Sequence, residues 1–99
     1  MGLRSDLHDL LLTLCDNVYF QPPKTATMKY PCIVYQRDYM LDEHADNYPY
    51  RTTVRYQVTV IDRNPDSEIV PRVKELSMCT YDRFFTADNM NHDVFKLFF

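Results

Sequence analysis

The amino-acid sequence predicts an α+β fold: a four-stranded, mainly antiparallel sheet with two helices packed on one face and a long loop between the first two strands. Three observations lead there. Apolar residues recur at a helical period near the start of the chain. A middle stretch alternates apolar and polar side chains residue by residue. Two aromatic-rich stretches around a short polar turn close the chain. With 99 residues, the sequence reads as a single domain over 1–99 that buries only about 60–65% of its unfolded surface.

Leu3, Leu7, Leu10, Leu11, Leu14 and Val18 fall on one face of a helix, which predicts a helix over 3–18. Ser5 and Asp6 suit its start, and Asp16 with Asn17 suits its end. Pro22 and Pro23 then impose an extended connector. The run CIVYQRDYM from Cys32 is rich in β-branched and aromatic residues and predicts a strand. In RTTVRYQVTVID, residues 51–62, Thr52, Val54, Tyr56, Val58 and Val60 share one face, while Arg51, Thr53, Arg55, Gln57 and Thr59 share the other. One face therefore meets the core and the other meets water or a polar partner, as in an antiparallel sheet covered on one side. Asn64 and Pro65 predict the start of a second helix, with Asp66 and Glu68 complementing its positive end. Ile69, Val70, Val73 and Leu76 form its apolar stripe. Pro71 predicts either a kink or a first turn separate from the rest. MCTYDRFFT and HDVFKLFF predict the last two strands, joined by a turn at Asp88 and Asn89. Phe95, Leu97 and Phe99 share a face of the final strand.

Composition excludes several function classes. The single glycine, Gly2, leaves no glycine-rich phosphate cradle of either the P-loop or the dinucleotide type. Cys15, Cys32 and Cys79 are odd in number and widely spaced, which predicts free thiols acting as small hydrophobes. A net charge of -3 argues against a nucleic-acid reader with a basic face. Tyr48, Tyr50, Tyr81, Phe84 and Phe85 are accordingly read as packing residues rather than a base-stacking platform. No stretch reads as a signal peptide or a membrane span.

Candidate chemistry is sparse. Asp42, Glu43, His44 and Asp46 are dense in metal-ligand atoms but lack the glycine and terminal glutamate of a calcium loop. Asp62, Asp66 and Glu68 are accounted for by the helix start. Cys79 and His92 can meet across the last hairpin, but no orienting group or oxyanion-hole glycine accompanies them. Asp82 and Arg83, as neighbours on a strand, are expected to point to opposite faces and to serve structural or intersubunit ion pairs. The sequence assigns no catalytic, metal-binding or cofactor-binding residue and no cofactor.

The stretch RDYMLDEHADNYPYR, residues 37–51, fits none of these roles. It is acidic and tyrosine-rich, it lacks glycine, and it lies between two strand patterns. A small domain spares little chain for a loop that buries nothing, so the stretch is read as an arm that orders against another subunit.

The segments RYQVTVIDRNPDSEIVPRVKEL and CTYDRFFTADNMNHDVFKLFF, with YPCIVYQRD before them, resemble a family of tailed-phage and prophage head–tail connector proteins, the tail terminator or tail-completion proteins of long-tailed phages. The likeness runs from about Tyr19 to Phe99 and rests on fold signatures rather than catalytic motifs. It implies a structural, non-enzymatic protein that forms a hexameric ring at the junction of head and tail. The implied partners are further copies of the chain, the major tail tube protein and a head-side connector protein. DNA passes through the ring without specific binding, and no membrane is involved. The implied location is the virion, with assembly in the host cytoplasm. On this reading Asp42, Glu43, His44, Asp46, Tyr48 and Tyr50 form the ring contact, with Arg51, Arg55, Phe98 and Phe99 as further interface candidates. A head-completion adaptor on the portal side, a small metal-dependent enzyme and a nucleic-acid-binding accessory protein are the alternatives.

Overall fold

A computed structural model describes residues 4–22, 27–45 and 48–99; for 41–45 and 48–52 it describes the backbone alone. The elements in chain order are α1 (Arg4–Leu12), β1 (Val18–Phe20), β2 (Cys32–Ala45), β3 (Tyr48–Asp62), α2 (Ile69–Lys74), β4 (Cys79–Ala87) and β5 (Met90–Phe98). The fold is α+β, as the sequence predicts, but the sheet has five strands in the order β1-β2-β3-β5-β4. Four of them pair antiparallel, whereas β1 runs parallel to β2, with Val18 opposite Ile33 and Phe20 opposite Tyr35.

That extra strand shortens the first helix. Apolar periodicity extends the expected helix to Val18, yet α1 ends at Leu12 in a tightened turn, where Leu14 N–H donates to Leu11 O at 3.0 Å. The helix thus stops before the Asp16-Asn17 pair that the sequence offers as its end, and Asn17 serves the sheet instead. Asn17 O accepts from Ile33 N–H at 2.9 Å, and its side-chain amide donates to Pro31 O at 3.1 Å. The backbone at 17 is thereby committed to the sheet, and Val18 follows it.

The second helix also starts later than Asn64 and Pro65 suggest. Asp62 Oδ1 accepts from Asn64 N–H at 2.9 Å, and Asn64 Oδ1 from Asp66 N–H at 3.0 Å. These side chains stabilise consecutive turns instead of a helix start. Because α2 begins at Ile69, Pro71 falls in its first turn, where the missing N–H breaks no intrahelical bond. No kink is required.

One face of the sheet carries the core. Ile33 and Tyr35 of β2 lie opposite Val60 and Val58 of β3, which lie opposite Asp93 and Phe95 of β5. Leu7 and Leu11 of α1 and Ile69 and Val73 of α2 bury into the same cluster with Val54, Tyr56 and Leu97, so both helices cover one face. Tyr35 is the largest fully buried side chain. Its hydroxyl is satisfied by Arg4 Nη1 at 3.2 Å and His8 Nδ1 at 2.7 Å, which ties α1 to the sheet by polar contacts as well as apolar ones. Burial, first among its causes, raises the Tyr35 phenol above its ordinary range.

The longest departure from expectation is at residues 37–51. The described residues of this segment form strands rather than a loop. Strands β2 and β3 stay paired from Cys32 opposite Ile61 out to Ala45 opposite Tyr48. The radius of gyration, 14.6 Å, exceeds the roughly 13 Å of a compact chain this long, and the longest dimension is 51 Å.

Candidate interaction surfaces

The first surface is the distal hairpin. Strand β1 pairs with β2 only as far as Tyr35, and β5 pairs with β3 only from Arg55. Beyond those points β2 and β3 form a two-stranded ribbon. Among the described residues no strand pairs with either outer edge of it; at its base Phe99 N–H donates to Val54 O at 3.1 Å and Arg37 N–H to Gln21 Oε1 at 3.3 Å. Asp42 lies opposite Thr52, Glu43 opposite Arg51, and His44 opposite Pro49, after an irregularity in register. Of the arm residues singled out in the sequence, Asp42, Glu43, His44, Tyr48 and Tyr50, with Arg51, are thus on the ribbon's two strands. Asp46 lies outside the described residues. Two long strands account for the segment's tyrosine content and missing glycine better than a loop does.

At the base of the ribbon, the face away from the helices carries a charged network. Arg37 lies opposite Tyr56 and Tyr39 opposite Arg55, which leaves Asp38 as an extra residue in a bulge. Asp38 Oδ2 accepts from Arg55 Nε at 2.8 Å and from Lys96 Nζ at 2.9 Å, and Lys96 also donates to Gln57 Oε1 at 3.1 Å. The Arg55 guanidinium sits 5.1 Å from the centre of the Tyr39 ring. The Lys96 hydrogen bond, then its charge and Arg55, hold the Asp38 carboxyl below the ordinary carboxylate range against the opposing effect of burial. Arg55, a predicted interface residue, is engaged within its own chain.

The second surface is the edge strand β4. Among the described residues no strand pairs with its outer side. Nearly all of it is exposed, including Tyr81, Phe84 and Phe85. Tyr81 packs edge-on against Phe95 at 5.2 Å and donates to Asp93 Oδ1 at 2.9 Å. Phe85 stacks on His92 at 4.7 Å. Asp82 and Arg83 form the structural ion pair that the sequence suggests, but the expectation that they point to opposite faces fails. Asp82 is a bulge residue, since Tyr81 lies opposite Phe95 and Arg83 opposite Val94. The bulge interrupts strict alternation, and Arg83 Nη1 meets Asp82 Oδ2 at 2.7 Å on one side of the strand.

The C-terminal pair divides between faces. Phe99 packs against the core cluster, whereas Phe98 lies opposite Arg55 on the face bearing the charged network. Cys79 and His92 do not meet: Cys79 lies opposite Leu97 and His92 opposite Phe85, toward opposite ends of the ladder. Among the described residues no group of three or more His, Cys, Asp and Glu is placed to hold a metal ion. The depression between the end of α1 and α2, about 320 Å³ and lined by Cys15, Asn17, Ile69 and Arg72 among others, is open to solvent. Among the described residues no helix is long and apolar enough to cross a membrane.

Comparison with known proteins yields no matching family model, no matching curated protein and no matching solved structure.

Proposed function

We propose that this protein is a structural subunit of a tailed-phage head–tail junction. Copies form a hexameric ring that caps the tail tube and joins it to the head-side connector, with DNA passing through the hole. The subunit performs no reaction and uses no cofactor. The observation that supports this reading best is the paired ribbon of β2 and β3, which projects from a small domain and, among the described residues, has no further strand paired along either edge. Such a ribbon reaches a neighbour and enlarges a contact that the compact body is too small to provide. Heterologous contacts of this kind close into rings. The carboxylates of Asp42, Glu43 and Asp46 keep the free subunit soluble, and where they face the hole they repel DNA phosphates so that the genome slides without sticking.

The test removes the ribbon without disturbing the body. Met40 and Val54 are paired across the ladder, so replacing residues 41–53 with Asn-Gly closes the hairpin by a tight turn. The expected outcome is a folded subunit that no longer joins heads to tails, with unfinished tails accumulating in micrographs. Full joining by the shortened chain overturns the arm. Accumulation of unfinished heads with normal tails instead moves the protein to the portal side of the junction.

A further inference from the structure

We infer that the free subunit associates with a second copy of itself through the outer edge of β4, antiparallel, about a two-fold axis between Asp82 and Arg83. This goes beyond the ring reading and does not rest on it.

An exposed nine-residue edge strand bearing Tyr81, Phe84 and Phe85, at 40%, 54% and 39% exposure, is a template for another strand. A second β4 is the occupant that its side chains select. When two sheets join edge to edge about a two-fold axis perpendicular to them, residues directly opposite each other must lie on the same face. In a regular strand this demands that both members of each pair be odd-numbered or both even-numbered. The Asp82 bulge changes that condition. Cys79 and Tyr81 face the helix side, opposite Leu97 and Phe95, and after the bulge so do Phe84 and Thr86, opposite Asp93 and Asn91. Thr80, Arg83 and Phe85 face the other side, opposite Lys96, Val94 and His92. The 2.7 Å ion pair keeps Asp82 on the Arg83 side.

One register then matches throughout. Asp82 meets the second copy's Arg83, Tyr81 meets Phe84, Thr80 meets Phe85 and Cys79 meets Thr86, each on a common face. Sliding by one residue either way sets Asp82 against Asp82 or Arg83 against Arg83, and puts Tyr81 on the wrong face. The chosen register creates two cross-strand Asp–Arg pairs and covers the exposed rings, and both contribute to strand association. A bulge on an edge usually deters pairing. Here it twists both strands alike about the two-fold, so the two distortions face each other instead of opposing a flat partner.

Charge reversal tests this directly. Wild-type protein is expected to show a concentration-dependent monomer–dimer equilibrium in sedimentation velocity. Asp82→Arg and Arg83→Asp each set like charges across the two-fold and weaken the dimer about tenfold or more. Far-UV circular dichroism checks that both variants stay folded. Mixed together, they restore association as a heterodimer, since one variant is then cationic at both positions and meets a variant anionic at both. Loss of a merely structural intrachain pair gives no such rescue. A wild-type chain that stays monomeric at high micromolar concentration overturns the inference. So do single variants that dimerise as the wild type does, mixed variants that stay monomeric, and a larger ring indifferent to both substitutions. The ribbon deletion affects tail joining by a separate route, so the two readings fail independently.

Discussion

Lys96 reaches Asp38 across the intervening strand β3: its Nζ lies 2.9 Å from Asp38 Oδ2, and Arg55 Nε meets the same oxygen at 2.8 Å. One carboxylate therefore holds two cations from neighbouring strands and pins the base of the ribbon to β5. All three side chains are a third exposed or less, so solvent screens the network only in part.

Asp38→Ala is expected to lower unfolding free energy by about 1.5–3 kcal/mol, the range for hydrogen bonds to charged groups. Two cations are left facing each other without their common acceptor. Urea titration measures the loss. Its pH dependence has a definite sign. The native-state carboxyl titrates below its unfolded value, so the network's contribution is present above about pH 4 and is lost as pH falls through the depressed native value. Asp38→Asn should therefore flatten the acid limb of the stability curve. An unchanged acid limb contradicts the assignment.

The β4–β5 turn offers a second test. Asp88 and Asn89 occupy the left-handed region with φ of 53° and 61°, as a two-residue hairpin turn requires. Neither residue is glycine, although both tolerate this region better than most. Asn89→Gly should raise stability by about 0.5–1 kcal/mol, and Asn89→Val should lower it by at least as much. Thermal unfolding of the pair reads out both directions.

Thiol chemistry reports on the sheet's integrity. Cys15 and Cys32 are buried and Cys79 is half-buried. Burial, with Cys15 nearby as the lesser cause, pushes the Cys32 thiol up to about 12. Burial likewise raises Cys79, against a smaller opposing effect of Lys74. At pH 8 a disulfide reagent should label native protein slowly, at Cys79 first, and all three cysteines promptly in denaturant. Rapid native labelling of Cys32 would show that β2 opens.

Much of the architecture is legible in the sequence. The alternation of Val54, Tyr56, Val58 and Val60 against Arg55, Gln57 and Thr59 gives the core face of β3, because burial on one side leaves that period in the chain. The stripe of Ile69, Val70, Val73 and Leu76 marks α2, and Asp88 with Asn89 marks the last turn. Strand β1 leaves no such trace, because three residues are too few to show a period and Val18 also fits the preceding helix pattern. The ribbon reads as a loop in the sequence because two irregularities in register, at Asp38 near its base and between Glu43 and His44 further out, break its alternation.

The order of polar and apolar residues was enough, by itself, to dictate an α+β chain with a one-sided sheet, since each element must hide its apolar stripe locally. Only the tertiary structure decided where the bulges fall, and with them which neighbours share a face. Strand pairing is a contact between residues distant in the chain, so the partners of Asp38 and the common side of Asp82 and Arg83 exist only once β2, β3, β4 and β5 are set in register.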